Sequence, residues 1–228
     1  MSSIAQLVSE VCHTYGQPNN RALREKVRSI ILHTRAEIIR RGYENHSYVD
    51  KVLTQRFTVS LTNVVDGDIK LPEGYDDVPI QRIKRTLQKV PRAIRLTNNL
   101  PFDRVSSSGF KTNRSFPYIK ETTARFRNSV PGLCGMISYD YINDYIYLFP
   151  TNNKPILINA IVIESAFEHP NKIADINGEL TIENKIYDDN EWVLSEDMVG
   201  QIKDIIYKRD LLNQRNETDE IPSTIKYN

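Results

Sequence analysis

Between Asn20 and Gly42 the chain reads NRALREKVRSIILHTRAEIIRRG, with apolar Leu23, Val27, Ile30, Ile31 and Ile38 recurring at three-to-four spacing. Arg21, Arg24, Arg28 and Arg35 recur at the same spacing on another face. The pattern predicts an amphipathic helix of about six turns, with one face buried and the other offering guanidinium groups to solvent, to a partner chain or to phosphate. Asn19 or Asn20 can cap its start through a side-chain oxygen, and Gly42 can take the left-handed conformation that ends it. Arg40 and Arg41 suit the negative end of the helix dipole. Upstream, Ile4, Leu7, Val8 and Val11 follow the capping residues Ser2 and Ser3, which predicts a short helix over 3–14. The turn from Tyr15 to Asn20 joins the two as a helical hairpin. On this reading Ile30→Asp abolishes folding, whereas Arg28→Ala folds normally.

From Leu53 the period changes. Leu53, Phe57, Val59 and Leu61 alternate with Thr54, Arg56, Thr58 and Ser60, the mark of a half-buried antiparallel strand. Asp66-Gly67 is a favoured turn pair, after which a short return strand ends near Leu71. Residues 80–127 have the weakest periodicity, and Pro91, Pro101, Pro117 and the SSSG run at 106–109 predict long loops joined to short extended pieces. Segment 101–116 reads as an arm or loop buried by a neighbouring subunit. The tyrosines of ISYDYINDYIYLFP predict two strands around Asn143-Asp144. PILINAIVIESAF, from Pro155, is apolar on both faces, as in a strand covered on both sides or at a subunit contact. The acidic run from Ala174 to Glu191 turns at Asn177-Gly178. Ser195 then caps a helix with Glu196 and Asp197 in its first turn and with Met198 or Val199, Ile202, Ile205, Ile206 and Leu212 on its apolar face. From Asn213 the sequence is too polar to order itself.

Helices at both ends and strands between predict an α+β fold: terminal α-helices form a helical bundle around a β-rich antiparallel middle with long loops. The expected divisions are an N-terminal helical part at 1–50, a β-rich domain at 51–193, a C-terminal helix at 194–213 that packs on the helical part, and a polar tail at 214–228. A chain of 228 residues can bury a core unaided. Cys12 and Cys134 lack CxxC spacing, so reduced, inert thiols in an intracellular setting are expected. No basic leader precedes an apolar run, and no stretch approaches the roughly 20 apolar residues of a membrane span. The chain is therefore expected to be neither exported by a cleaved signal nor embedded in a membrane.

The net charge of +1 hides a polarity. Residues 1–80 hold ten charges of each sign, residues 81–127 hold twelve basic against two acidic, and residues 128–228 hold eight basic against seventeen acidic. Such a chain can neutralise itself within one fold, face nucleic acid with its basic segment, or stack basic surface on acidic surface of another copy.

Catalytic chemistry finds little support. GxxxxGK and GxGxxG phosphate loops are absent, and no serine is framed as GxSxG. His13, His33, His46 and His169 lack the spacing of a zinc site. Asp66-Gly67-Asp68 starts like a calcium loop but fails at Leu71 and Asp77, where glycine and glutamate are needed. Asp188, Asp189 and Glu191 could hold a nuclease metal, but they read better as a solvated acidic face. Cys12 and His13 are adjacent on a helix and point apart, which defeats activation of the thiol. The chain is expected to be no enzyme and to need no cofactor and no metal.

Several segments together resemble a known family: the arginine-rich helix ending in RRGY, QRFTVSL followed by DGDIKLP, KVPRAIRL with SSSG, the tyrosine strands YDYINDYIYLF, and a final helix with a polar tail. They are similar to the ring, or head-to-tail adaptor, proteins of short-tailed bacteriophages, above all the structural ring proteins of crAss-like phages. Tail tubular protein A and the head-completion adaptors of other podoviruses are more distantly alike. The resemblance implies a non-enzymatic virion protein, made in the bacterial host cytoplasm. It implies a ring, commonly of twelve copies, below the portal protein, where it extends the DNA channel and docks tail components. The helices at 20–42 and 195–212 would then form a bundle facing the portal or the next ring, with the β-rich middle in subunit and tail contacts. Arg21, Arg24, Arg28 and Arg35 are the candidate assembly or DNA-facing residues, and any contact with genomic DNA would be weak and blind to sequence. The alternative is a nucleic-acid-binding module that uses the same helix and the basic segment 82–127. The compensating acidic half, and the lack of aromatics interleaved for base stacking, argue against it.

Overall fold

The computed structural model describes residues 3–64, 82–108, 115–119, 136–150, 156–170, 172–173 and 196–218. It is an α+β structure with a β-rich middle. In chain order the elements are α1 (Ile4–Thr14), α2 (Arg21–His46), a 3-10 turn (Lys51–Leu53), β1 (Gln55–Asn63), β2 (Lys84–Thr86), β3 (Arg104–Ser107), β4 (Ser138–Ile142), β5 (Tyr145–Phe149), β6 (Ala160–Ser165) and α3 (Glu196–Thr218). Two compact units emerge, Met1–Ile39 with Ile186–Asn228, and Arg40–Lys185.

In the first unit, α1 begins with a complete capping box. The Ser3 hydroxyl accepts from the Gln6 amide and the Gln6 side chain accepts from the Ser3 amide, which satisfies two otherwise orphaned donors. Ile4, Leu7, Val8, Val11 and Cys12 are buried, as their spacing predicts. Asn20 caps α2, its side-chain oxygen accepting from the Leu23 amide at 3.1 Å. Met198, Ile202 and Ile206 are buried on the described part of α3. α1 and α3 meet through Thr14 and Tyr207, through the Tyr15 and Tyr207 rings at 6.3 Å, and through Lys203 with Glu10. The α3 backbone stays helical to Thr218, beyond the expected end at Asn213.

α2 differs from expectation twice. Its buried residues are Val27, Ile31, Thr34, Arg35 and Ile39, so Ile39 rather than Ile38 is buried and Ile30 is only half-buried. The helix also runs through Gly42 to His46. A glycine weakens a helix but stops it only where the chain turns left-handed, and here Ser47 makes that turn, at φ 60°, with its amide bonded to the Tyr43 carbonyl.

The second unit is built on a six-stranded antiparallel sheet in the order β3-β6-β1-β2-β5-β4. β1 alternates as its sequence predicts, with Phe57 and Val59 buried and Arg56, Thr58 and Ser60 exposed. The return strand expected near Leu71 lies outside the described residues. Beside β1 stands β2, from the basic segment, with Leu61 opposite Thr86. β5 and β6 are covered on both faces, which is why each reads as a nearly unbroken apolar run. Ile146 and Leu148 join Phe57, Val59, Val105, Ile161, Ile163 and Phe167 in one core, while Tyr147 and Phe149 join Val64, Ile83 and Ile119 in another.

Segment 101–116 is only partly loop, and its described residues are no arm awaiting a neighbour. Arg104–Ser107 is β3, paired with β6, and Phe102 and Val105 lie in the chain's own core. Four β-forming positions are too few to show a period, so sheet pairing decides their state.

Residues 115–119 close the sheet. The Phe116 amide donates to the Val105 carbonyl of β3, while Ile119 donates to Tyr139 of β4 and Tyr139 donates to Pro117. Both edge strands are therefore tied by one five-residue segment, and the curled sheet closes on itself.

Two substitutions test the account of α2. A Cβ at Gly42 meets nothing within 4 Å, so Gly42→Ala should raise stability by about 0.5–1 kcal/mol in urea denaturation. Ile31→Ala should cost about 2–5 kcal/mol, and clearly more than Ile30→Ala. Equal losses at the two positions would show that the buried stripe is misassigned.

Candidate functional site

The four arginines predicted to share a face have different surroundings. The Arg21 side chain is 92% exposed and, among the described residues, pairs with Glu25, one turn on, at 3.2 Å. Arg24 is half-buried and spans the turn between α1 and α2, donating to the Pro18 carbonyl and the Ser9 hydroxyl, each at 3.2 Å. Its role within the chain is to tie the helical hairpin. Arg28 is half-buried. Arg35 is fully buried, and burial pushes its guanidinium down to about 10, still charged at neutral pH. Val27, Ile31 and Arg35 follow one another at four-residue steps, so Arg35 continues the buried stripe. As a solvent-facing set, the face reduces to Arg21, with partial contributions from Arg24 and Arg28.

A second site lies at the tip of the β4–β5 hairpin and was not visible in the sequence. Ile142 stands opposite Tyr145, which leaves Asn143 and Asp144 as a two-residue loop. Both adopt positive φ, 52° and 66°, the type I′ conformation whose twist matches the strands. The tip is held from the side by the 88–92 loop. The Val90 amide donates to the Asp144 carbonyl at 2.7 Å, the Tyr141 hydroxyl donates to the Val90 carbonyl at 2.9 Å, and Arg92 reaches the Asp144 carboxylate at 3.1 Å. The Arg92 hydrogen bond, helped by the Tyr141 hydroxyl, holds the Asp144 carboxyl below its usual range. Burial pushes the Tyr141 phenol up, so it stays protonated.

Beside the tip, residues 88–92, Asp144, Glu168, His169 and Lys172 line a groove of about 650 Å³. Lys89, Arg92, Lys172 and the exposed His169 line it with Asp144 and Glu168. Three separate stretches of chain supply these groups, so no motif in the sequence announces them. The arrangement offers charge for binding, and the nearby Tyr141 hydroxyl is engaged in holding the turn.

Asp103 is exposed, yet desolvation of its carboxyl shifts it upward, an effect that its bond from Ser165 partly offsets. Buried Cys12 has its thiol pushed up by desolvation, and His13 beside it is exposed, so the two face apart. Asp188, Asp189, Glu191, Cys134 and the Asp66-Gly67-Asp68 turn lie outside the described residues. Among the described residues no group of three His, Cys, Asp or Glu is placed to hold a metal, and no helix is long and apolar enough to cross a membrane.

Residues 6–225 match the profile of a family described as phage tail ring protein 2. The chain belongs to that family. It is a ring protein of the crAss-like phage type, as the resemblance in its sequence implies. No curated protein matches it. Membership makes this ring protein a structural component of a phage tail, and so of the virion, that assembles as a ring with other tail components.

The Arg92–Asp144 contact gives the ring protein a predictable acid response. Because the folded carboxyl titrates below its unfolded value, its contribution to stability is complete above the ordinary carboxylate range and is lost as pH falls through the depressed value. Asp144→Asn should therefore flatten part of the loss in urea midpoint between neutral and strongly acid pH. An unchanged acid limb in the variant would rule this contribution out.

Proposed function

We propose that this ring protein forms a closed homo-oligomer within the head-to-tail connector, between portal and tail, and that the ring surrounds the path of the DNA. The observation that carries the reading is the family match over residues 6–225. Twelve copies is the number that the resemblance implies.

Two features of the chain support it. A ring is built from heterologous contacts, in which one surface of a subunit meets a different surface of the next. A chain with a basic middle and an acidic C-terminal half supplies two such surfaces of opposite sign. In addition, α1, α2 and α3 are linked by Arg24 with Ser9, Lys203 with Glu10 and Thr14 with Tyr207. These contacts support a terminal helical bundle that docks on the portal or on the next ring, with the closed sheet left for subunit and tail contacts. Exposed Arg21 and half-buried Arg24 and Arg28 are the candidates on α2 for contact with an assembly partner or DNA. Contact with DNA in a channel that must release its genome is weak and falls steeply with salt.

The reading is tested by native mass spectrometry of the purified protein, alone and mixed with its portal. A discrete ring-sized assembly, or capture by the portal, is expected. A monomer that ignores the portal and binds duplex DNA with submicromolar affinity at physiological salt would replace this reading with a nucleic-acid-binding role.

A further inference from the structure

We propose that the groove beside the hairpin tip is an acceptor site between copies of this chain, and that its occupant is the acidic stretch 175–191 of a neighbouring copy. The inference rests on the ring reading and adds to it the surface by which one subunit holds the next.

The groove fits an anionic strand of protein. At about 650 Å³ it has room for several side chains. Lys89, Arg92 and Lys172 bring three fixed positive charges to its wall, against Asp144 and Glu168. Arg92 and Asp144 are already paired and largely neutralise one another, which leaves Lys89 and Lys172 against Glu168. Lys89 and Lys172 form no ion pair with a described residue. Half-buried Pro91 adds a small apolar strip between Lys89 and Arg92.

The occupant is identified by charge. Residues 175–191 carry Asp175, Glu179, Glu183, Asp188, Asp189 and Glu191 against a single base, Lys185, with isoleucines and a leucine interspersed. That sequence complements both the charges and the apolar strip of the groove. A basic acceptor and an acidic donor on one chain are the pair of unlike surfaces that a head-to-tail ring requires.

Charge reversal tests the proposal on the full chain. One variant carries Lys89→Glu with Lys172→Glu, and another carries Glu183→Lys, Asp188→Lys and Asp189→Lys, which takes the net charge of the 175–191 stretch from −5 to +1. Circular dichroism checks that both fold, and native mass spectrometry reads assembly. Each variant alone is expected to stay monomeric where the unmodified chain forms rings, and an equimolar mixture should regain rings containing both, because reversed donors then meet reversed acceptors. Rings from either variant alone, as readily as from the unmodified chain, would overturn the proposal. Failure of the mixture, with assembly by the chain carrying all five substitutions, would seat the stretch on its own chain and overturn the exchange between copies.

If the unmodified chain forms no ring, the ring reading fails, and the groove is judged separately by fluorescence anisotropy of a labelled 175–191 peptide. Binding should weaken at least about tenfold in the Lys89→Glu, Lys172→Glu variant, the scale of a lost charge pair. Equal binding to both proteins, or capture of duplex DNA in preference to the peptide, would reject the acceptor site.

Discussion

A curled sheet leaves backbone donors and acceptors along two edges, and buried ones are costly unless bonded. In this protein residues 115–119 satisfy both edges at once, through Val105 on β3 and Tyr139 on β4. The rest of the second unit follows from that closure. With the edges fixed, Phe57, Val105, Ile146 and Ile163 face a common interior, and the tyrosine-rich hairpin is held at both ends, by the closing segment and by the 88–92 loop. Short strands such as β2 and β3, which have no stability of their own, acquire it as members of a continuous ladder.

The parts legible in the sequence were those whose signals are local. Ser3 and Gln6 form a capping box within four residues, Asn143-Asp144 make a hairpin turn between alternating tyrosines, and the β6 run declares its two-sided burial. Even the family could be seen, because its segments are spread through most of the chain. The parts that misled depend on partners distant in sequence. Gly42 looks like a stop, yet nothing nearby demands a turn there and Ser47 makes it instead. Arg35 looks like a member of an exposed basic face, yet it lies in line with Val27 and Ile31.

The groove was illegible for a related reason. Lys89, Asp144 and Lys172 are more than two dozen residues apart from one another, and only the sheet order and the hairpin tip bring them to one place. Charge counts along the chain pointed to opposite surfaces without locating either. For a protein whose work is to hold neighbours, this is the expected blind spot. Contact surfaces are assembled from loops, whereas motifs record chemistry that is local.

The hairpin tip is also a thermodynamic junction. Two residues with side chains occupy left-handed backbone conformations there, each a strain of about 1–3 kcal/mol that the surroundings must hold in place. Part of that hold is Arg92 on Asp144, and Arg92 also lines the groove. Any carboxylate or phosphate that enters the groove and engages Arg92 competes with Asp144 for the same guanidinium. Occupancy of the groove and tightness of the turn are thus linked equilibria: what fills one loosens the other, and the β4–β5 tip can report, by its own mobility, whether its neighbour has arrived.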